Sequence, residues 1–435
     1  MLEQKIIAWG LKVRKWSFLR IIQRTFAVLF PFILIGSFAQ VLEFSLLYRD
    51  GFLANLTKIY DWLPHYRAFN QLFGGIYMLT AGIISVFAAG LTAKYTAQFA
   101  KRDGQIAGVT GMIAFLAICY QHSQNGDQLN FKLELLGFSG LILGLLCGYF
   151  VGLLFKWASP ELTTDKEHNA ALFERSFRAL LPITFALIGA LVINVLLGLI
   201  YKYQVFETIN DWLQSQAIKQ SGVLPVFLLA TLTLIFSWLG LSGPYESNTF
   251  DSDQSALHNL NYALTHSDLA KVPDKFNANT LYFSFGTLSG TGALLALILA
   301  LFIVSHRKNN RRLAYLTVFP GIFNANASFM IGLPILFNPF YLVPFLLIPL
   351  FNMLIGALLL ASGLILPAVY PVLLTTPGVL YSFIGTNGAW VSLLVPLFLL
   401  ICDTCLYIPF VRFAEKISDA MEAEQRKEGV AHEVK

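Results

Sequence analysis

Apolar residues along this chain gather into runs of about twenty, the length that crosses a hydrocarbon core as an α-helix. Clear runs are Phe26–Leu47, Leu72–Leu91, Leu135–Trp157 and Ala179–Tyr201, with a shorter one over Ile106–Tyr120. After a polar interval the pattern resumes at Leu224–Leu241, Leu281–Ser305, Leu313–Pro339, Phe340–Leu366 and Trp390–Arg412. Two of these runs are interrupted. The first ends in SWLGLSGPYESNTF (Ser237–Phe250), rich in glycine and polar residues. The second contains FNANASFMIGLPILFNP (Phe323–Pro339), which is uncharged yet holds Asn324, Asn326 and Asn338, a Gly332-Leu333-Pro334 break and Pro339. A lipid-facing helix has no use for such residues. Amides and broken backbone are tolerated at membrane depth only inside protein or beside a water-filled cavity.

Basic residues in short loops set the orientation. Lys5, Lys12, Arg14, Lys15, Arg20 and Arg24 place the N-terminus inside. Lys94, Lys101 and Arg102, the loop from Lys156 to Arg178, the cluster Arg307, Lys308, Arg311 and Arg312, and the tail with Arg412, Lys416, Arg426 and Lys427 belong on the same side. Counting Leu224–Leu241 as a full crossing would put the Arg307 cluster outside; a re-entrant segment there restores the parity, and Leu313–Pro339 reads as a second one. The expectation is an all-α polytopic membrane protein with about ten transmembrane helices and two re-entrant hairpins. Residues 1–25 read as a cytoplasmic amphipathic helix and 413–435 as a cytoplasmic tail.

Composition agrees. The 435 residues are 56% hydrophobic and 13% charged with mean hydropathy +0.64, against about 25% charged in a soluble domain, which excludes an aqueous globular protein. The formal net charge of +5 reflects basic cytoplasmic loops rather than nucleic-acid binding. The opening MLEQKIIAWGLKVRKWSFLRIIQRTF is too charged before its first apolar run for a secretory signal and reads as a basic interfacial helix. Cys119, Cys147, Cys402 and Cys405 all fall in apolar segments. The Cys402-Asp403-Thr404-Cys405 spacing lacks a second ligand pair, so packing between helices is its expected role and no metal or cofactor is implied.

Two interrupted segments in the C-terminal half point to a transport site near the membrane midplane. Unwound backbone offers carbonyls and amides, and asparagine side chains both donate and accept. A polyhydroxylated sugar needs that mixture, whereas an ion pathway more often shows intramembrane Asp, Glu or Lys.

Several stretches, in order, resemble the lactose/cellobiose-type IIC component of the bacterial phosphotransferase system, its sugar-translocating membrane subunit. They are FPFILIGSF (Phe30–Phe38), ELLGFSGLILGLLCGYFVG (Glu134–Gly152), FGTLSGTGALLALILAL (Phe285–Leu301), TTPGVLYSFIGTNGAW (Thr375–Trp390) and LYIPFVRFAEK (Leu406–Lys416). The most telling is GIFNANASFMIGLPILFNP (Gly321–Pro339), similar to the family's GIFNINEPVIFGLPIVLNP. The resemblance implies a homodimer contacting through its N-terminal transmembrane half (residues 26–201), with two hairpins in the C-terminal transport half (202–412) around a β-linked disaccharide such as cellobiose, chitobiose or lactose. It also implies alternating access and phosphorylation of the sugar by a separate soluble IIB subunit fed by IIA.

The departures fall at the site itself. The family's Glu within NEP corresponds to Ala327, with Ser328 at the Pro position, and its His within GIHG corresponds to Ser242. The surrounding Gly240, Gly243, Asn324, Asn326, Gly332, Pro334, Asn338 and Pro339 remain. General-base help is worth about 10²–10⁴ in rate, and neither Ala nor Ser supplies it. Glu246 either reaches the cavity as a substitute or faces its aqueous mouth beside Asp251 and Asp253. Trp390 either stacks on a sugar ring or anchors the interface. Asp403, a turn or two from the basic cytoplasmic end, either couples protons, pairs with Arg412 or sits near the interface. The Gly/Ser run Ser284–Gly292 reads as a close-packing helix surface. Two functions stay open: an uptake subunit working with IIB, and a non-phosphorylating facilitator or sensor signalling to a partner, with the polar, helical tail (Lys416–Lys435) as a docking segment or a linker.

Overall fold

The structure is a computed structural model and describes residues 16–121, 130–160, 169–202, 222–245, 253–266, 268–288, 290–373 and 375–433. The first fifteen residues of the expected amphipathic helix and Glu246 lie outside the described residues. Helix α1 (Ser17–Val41) continues into a π-helical stretch, Leu42–Leu47. Short α2 (Phe52–Thr57) and α3 (Ile59–Trp62) lead to α4 (Tyr66–Thr80) and, past a turn at 81–83, α5 (Ile84–Phe99). Helix α6 (Gly104–Cys119) starts on Asp103, whose carboxylate accepts from Gln105 N at 2.9 Å and Ile106 N at 3.1 Å and so satisfies two of the amides a helix start leaves unpaired. A two-residue antiparallel ladder (β1 Tyr120–Gln121, β2 Asn130–Phe131), short α7 (Leu133–Leu136), α8 (Leu141–Ala158) and α9 (Asn169–Lys202) follow.

The second part of the chain holds α10 (Val223–Trp238), α11 (Gln254–Thr265), a π-helical segment Asn279–Gly286, α12 (Leu294–Val304) and α13 (Lys308–Ile322). It closes with α14 (Ala327–Gly332), α15 (Pro339–Ala361), α16 (Gly378–Gly385) and α17 (Val391–Glu433). Six of the described segments are long and apolar enough to cross a membrane, from Ser17–Leu47 to Val391–Ala423, and Gly104–Cys119, Val223–Trp238 and Leu294–Val304 are shorter apolar helices. The chain is thus a helical membrane protein, as the apolar runs predict.

Two expectations need correction. Leu281–Ser305 is not one helix: left-handed backbone at Gly290 (φ +85°), Gly292 (+78°) and Ala293 (+53°) divides it, a conformation glycine adopts without Cβ strain. The run Ser284–Gly292 therefore contains a backbone break as well as close-packed glycines, with Gly286 against Met353 and Gly292 against Phe345. The tail continues the last span as helix, since α17 runs unbroken from Val391 through Glu433. Cys119 packs in the core beside Val86, Ala89 and Phe115, but Cys405 faces outward.

Small residues let helices approach closely where no water-driven force presses them together. Gly144, Gly148 and Gly152 on α8 lie against α5, where a Cβ at Gly148 would stand 2.1 Å from the Ala89 carbonyl oxygen. The largest core cluster surrounds α12, with Leu294, Leu297, Ile298 and Leu301 packed among α13, α14, α15, α17 and the α1 residues Ile22, Phe26, Leu29 and Ile33. On the side of the basic cluster, the buried Glu415 of α17 accepts from Ser305 Oγ, His306 N at 3.2 Å and Asn310 Nδ2 at 2.7 Å. Arg307 bridges Asp419 at 2.6 Å and Glu422 at 2.8 Å, so the base of the tail docks on its own chain.

Asp403 does not pair with Arg412, which is exposed. It is fully buried and accepts from Asn352 Nδ2 at 2.8 Å, joining α17 to α15. Among the described residues, Asp403 Oδ1 and Asn352 Oδ1 have no hydrogen-bond partner. An amide in place of the acid would keep the bond from Asn352 and bring a donor for the second oxygen. Asp403→Asn is therefore expected to retain full thermal stability in detergent. Asp403→Leu, which strands the Asn352 amide, should cost about 1–3 kcal/mol and lower the unfolding temperature.

Candidate functional site

Three backbone breaks converge. At the first, α10 ends in Gly240 (φ +71°), with Gly240 N donating to Ser237 O at 3.0 Å and Leu241 N to Phe236 O at 2.9 Å. The chain then turns back along the helix it has left: Gly243 lies against Thr233, and Tyr245 N donates to Thr233 Oγ1 at 3.3 Å. The second break lies between the π-helical segment and α12, with left-handed backbone at Gly290, Gly292 and Ala293 and Tyr407 Oη donating to the carbonyl of Gly292. At the third, between α13 and α14, Asn324 takes left-handed backbone (φ +63°) and its side-chain amide donates to Thr376 O at 3.2 Å. Asparagine is among the few non-glycine residues that enter this region readily.

Asn326 ties the second and third breaks together. Its side-chain nitrogen stands 1.8 Å from where a Cβ would be at Gly290, so only glycine allows the approach. Its Oδ1 is buried and, among the described residues, has no partner.

Between the breaks and the first helices lies a cavity of about 200 Å³. Ser237, Leu241 and Ser242 line it from the first break, Thr291 from the second, and Asn324 to Ala327 with Met330 from the third. Gln40 of α1, Tyr77 and Ala81 at α4, and Phe138 and Ser139 before α8 close it. Ser242 Oγ donates to Ser139 Oγ at 2.9 Å. Among the described lining residues there is no Asp, Glu, Lys, Arg or His, so the wall is a neutral array of amides and hydroxyls on an apolar floor.

Of the residues expected at the site, Ser242, Asn324, Asn326 and Ala327 meet in this cavity. The two positions at which the resemblance implies His and Glu are thus on one wall system. Gly240 and Gly243 shape the reversal that carries Ser242. Gly332 packs against Leu313 and Phe30. Asn338 caps α15, accepting from Phe340 N at 3.2 Å, and borders a smaller hollow with Leu19, Ile22 and Gln23. Trp390 is 71% exposed with its ring centre 5.7 Å from that of Phe383, outside the cavity. Sequence reasoning missed Gln40, Tyr77, Ser139, Ser237 and Thr291; the signal available was a polar residue within an otherwise apolar span.

The model of the family "Phosphotransferase system, EIIC" matches residues 23–349. The chain belongs to the EIIC family. It is 25% identical over 419 residues to the oligo-beta-mannoside-specific EIIC component of Bacillus subtilis (strain 168), covering 94% of this chain and 92% of that one. It is 27% identical over 266 residues to the cellobiose-specific EIIC component of Lactococcus lactis subsp. lactis (strain IL1403), with 56% and 54% covered. To the lactose-specific EIICB component of Streptococcus mutans serotype c it is 24% identical over 364 residues, covering 80% of this chain and 62% of that protein. Among solved structures, the transporter ChbC, the IIC component from the N,N'-diacetylchitobiose-specific phosphotransferase system, aligns with TM-score 0.43 and 20% identity over 97% of this chain and 99% of that one. This EIIC chain is a sugar-specific membrane permease component, of a kind that works with IIA and IIB partners.

Substitution at Gly290 tests the architecture of the site. Gly290→Ala should push the Asn326 amide out of place and weaken sugar binding by about tenfold, the loss of one or two neutral hydrogen bonds. Calorimetric titration of the purified protein reads the change.

Proposed function

We propose that this EIIC chain binds a β-linked disaccharide in the cavity formed by the three breaks and presents it to a separate IIB subunit for phosphorylation. The observation that carries this reading is the neutral amide-and-hydroxyl lining contributed by Ser242, Asn324 and Asn326. Such a surface matches sugar hydroxyls, which donate and accept without charge. Relatives named for oligo-β-mannosides, cellobiose and lactose support the disaccharide class, and they favour an uptake component over a facilitator or a sensor.

In this reading residues 26–201 form the N-terminal half and 202–412 the transport half, with α10 and the α13–α14 pair as re-entrant hairpins and both termini cytoplasmic. A homodimer through the N-terminal half belongs to the same proposal. Helix α9 supports it: only 17% of its apolar window is buried, the least of the six long spans, leaving Leu180, Phe185, Ile188 and Leu191 on an open face.

The altered positions define the test. Purified protein is titrated calorimetrically with cellobiose, lactose, mannobiose and diacetylchitobiose, and sugar phosphate is then measured with a IIB partner and a phosphoryl donor. Binding of one disaccharide with slow phosphorylation is the expected result. The double substitution Ala327→Glu, Ser242→His should raise the phosphorylation rate by about 10²-fold or more, at the lower end of what a positioned base contributes. An unsubstituted chain that binds none of the four sugars would sink the reading.

A further inference from the structure

Two serines from distant parts of the chain meet on the cavity wall. Ser242 rides on the reversal after α10, and Ser139 on the 3₁₀ turn Phe138–Gly140 that leads into α8. Their oxygens stand 2.9 Å apart, with Ser242 donating. Both line the cavity; Ser242 is exposed and Ser139 half-buried. A ligand in the cavity therefore reaches both hydroxyls.

The turn that carries Ser139 is fixed before any ligand arrives. A Cβ at Gly140 would stand 1.8 Å from the Leu135 carbonyl oxygen, so the turn needs glycine there. The Gly137 carbonyl accepts from Gly140 N at 3.2 Å and, at 2.6 Å, from the hydroxyl of Ser85, a buried residue of α5. One helical turn further, Gly144 of α8 lies against the same Ser85. Ser139 is thus held on the tightly packed α5–α8 pair, and a group already in place costs little to order on binding.

The direction of the serine bond decides what each hydroxyl has left to offer. A serine hydroxyl has one hydrogen and two lone pairs. Ser242 commits its hydrogen to Ser139, so toward a ligand it accepts. Ser139 receives that hydrogen, and its own has no acceptor among the described residues, so toward a ligand it donates. A donor and an acceptor one hydrogen-bond length apart match two hydroxyls on neighbouring carbons of a sugar ring, one accepting and the other donating.

We propose that Ser139 is a sugar-binding residue, and that the Ser139–Ser242 pair recognises two hydroxyls on adjacent carbons of one sugar ring. Ser139 donates to the first hydroxyl and Ser242 accepts from the second. The preferred ligand is then a disaccharide with a free vicinal diol, and a ring that lacks either hydroxyl loses a bond. The inference rests on the disaccharide reading above, and its test is built so that the two fail separately.

The full-length protein, Ser139→Ala and Ser242→Ala are titrated calorimetrically with whichever of cellobiose, lactose, mannobiose and diacetylchitobiose binds best. Analogues of that sugar lacking one hydroxyl at a time are titrated alongside, and thermal unfolding is recorded for each variant. Each substitution should weaken binding of the parent disaccharide about three- to tenfold, the worth of one neutral hydrogen bond, with unfolding temperature unchanged. For Ser139→Ala the loss should vanish with one analogue, and for Ser242→Ala with the analogue deoxygenated at the neighbouring carbon, because a bond the ligand cannot make is not lost again. No loss in Ser139→Ala, or a loss of one size with every analogue, overturns the sugar-binding role of Ser139 while leaving the disaccharide reading standing. Losses that vanish at carbons not adjacent to one another overturn the diol assignment. Absence of disaccharide binding by the unsubstituted protein overturns that reading, and the inference with it.

Discussion

Every backbone amide and carbonyl released by a broken helix at membrane depth has to be satisfied by protein, since hydrocarbon offers nothing. The C-terminal part of this chain is organised around that constraint. Tyr407 of α17 supplies its hydroxyl to the Gly292 carbonyl. Asn324 reaches Thr376 O, Asn279 Nδ2 reaches Ala368 O at 2.8 Å, and Thr233 receives the amide of Tyr245. Each of these bonds is also a long-range cross-link. Satisfying the breaks and assembling the cavity are therefore the same event: polar ends that cannot face lipid are turned toward one another, and the space between them is where a hydroxylated ligand finds partners.

The amount of this visible in the sequence differs from one element to another, for physical reasons. Apolar length reads out spans directly, and the Gly-Leu-Ser-Gly-Pro and Asn-rich stretches mark the breaks that hold Ser242 and Asn324 because those residues are costly in a lipid-facing helix. Ser284–Gly292 misleads because glycine serves two ends alike, close helix packing and left-handed backbone, and a one-dimensional pattern does not separate them. Asp403 misleads in another way. Arg412 is its basic neighbour along the helix, but the true partner, Asn352, is fifty-one positions away and leaves no local trace. Gln40 and Tyr77 reach the cavity for the same reason: their role depends on α1 and α4 lying against the hairpins, a contact set by the core that joins Phe26, Leu29 and Ile33 to Leu297 and Phe329.

The connections also constrain how the cavity can move. The α12–α13 connector is held to α17 by Glu415 and by the Arg307 bridges to Asp419 and Glu422, and Tyr407 fixes the same helix to the second break. Helices α12, α13 and α17 therefore form one body at both ends. The Asn324–Ala327 wall follows α13 directly, so this side of the cavity is held with that body.

A neutral cavity is compatible with phosphorylation of its ligand. Phosphoryl transfer proceeds in most analyses through a loose transition state, in which catalysis is mostly positioning and stabilisation of charge on the transferred group. The charge-stabilising groups travel with the phosphoryl donor, so the membrane component's main task is to hold the attacking hydroxyl in line. Under the proposed function, Asn324, Asn326 and the Ser139–Ser242 pair would hold that hydroxyl with directional bonds and without the desolvation cost of a buried charge. On the same proposal, having Ala327 and Ser242 in place of the acidic and imidazole groups would lower the rate by the share that proton transfer contributes, while binding and orientation would remain with the amides.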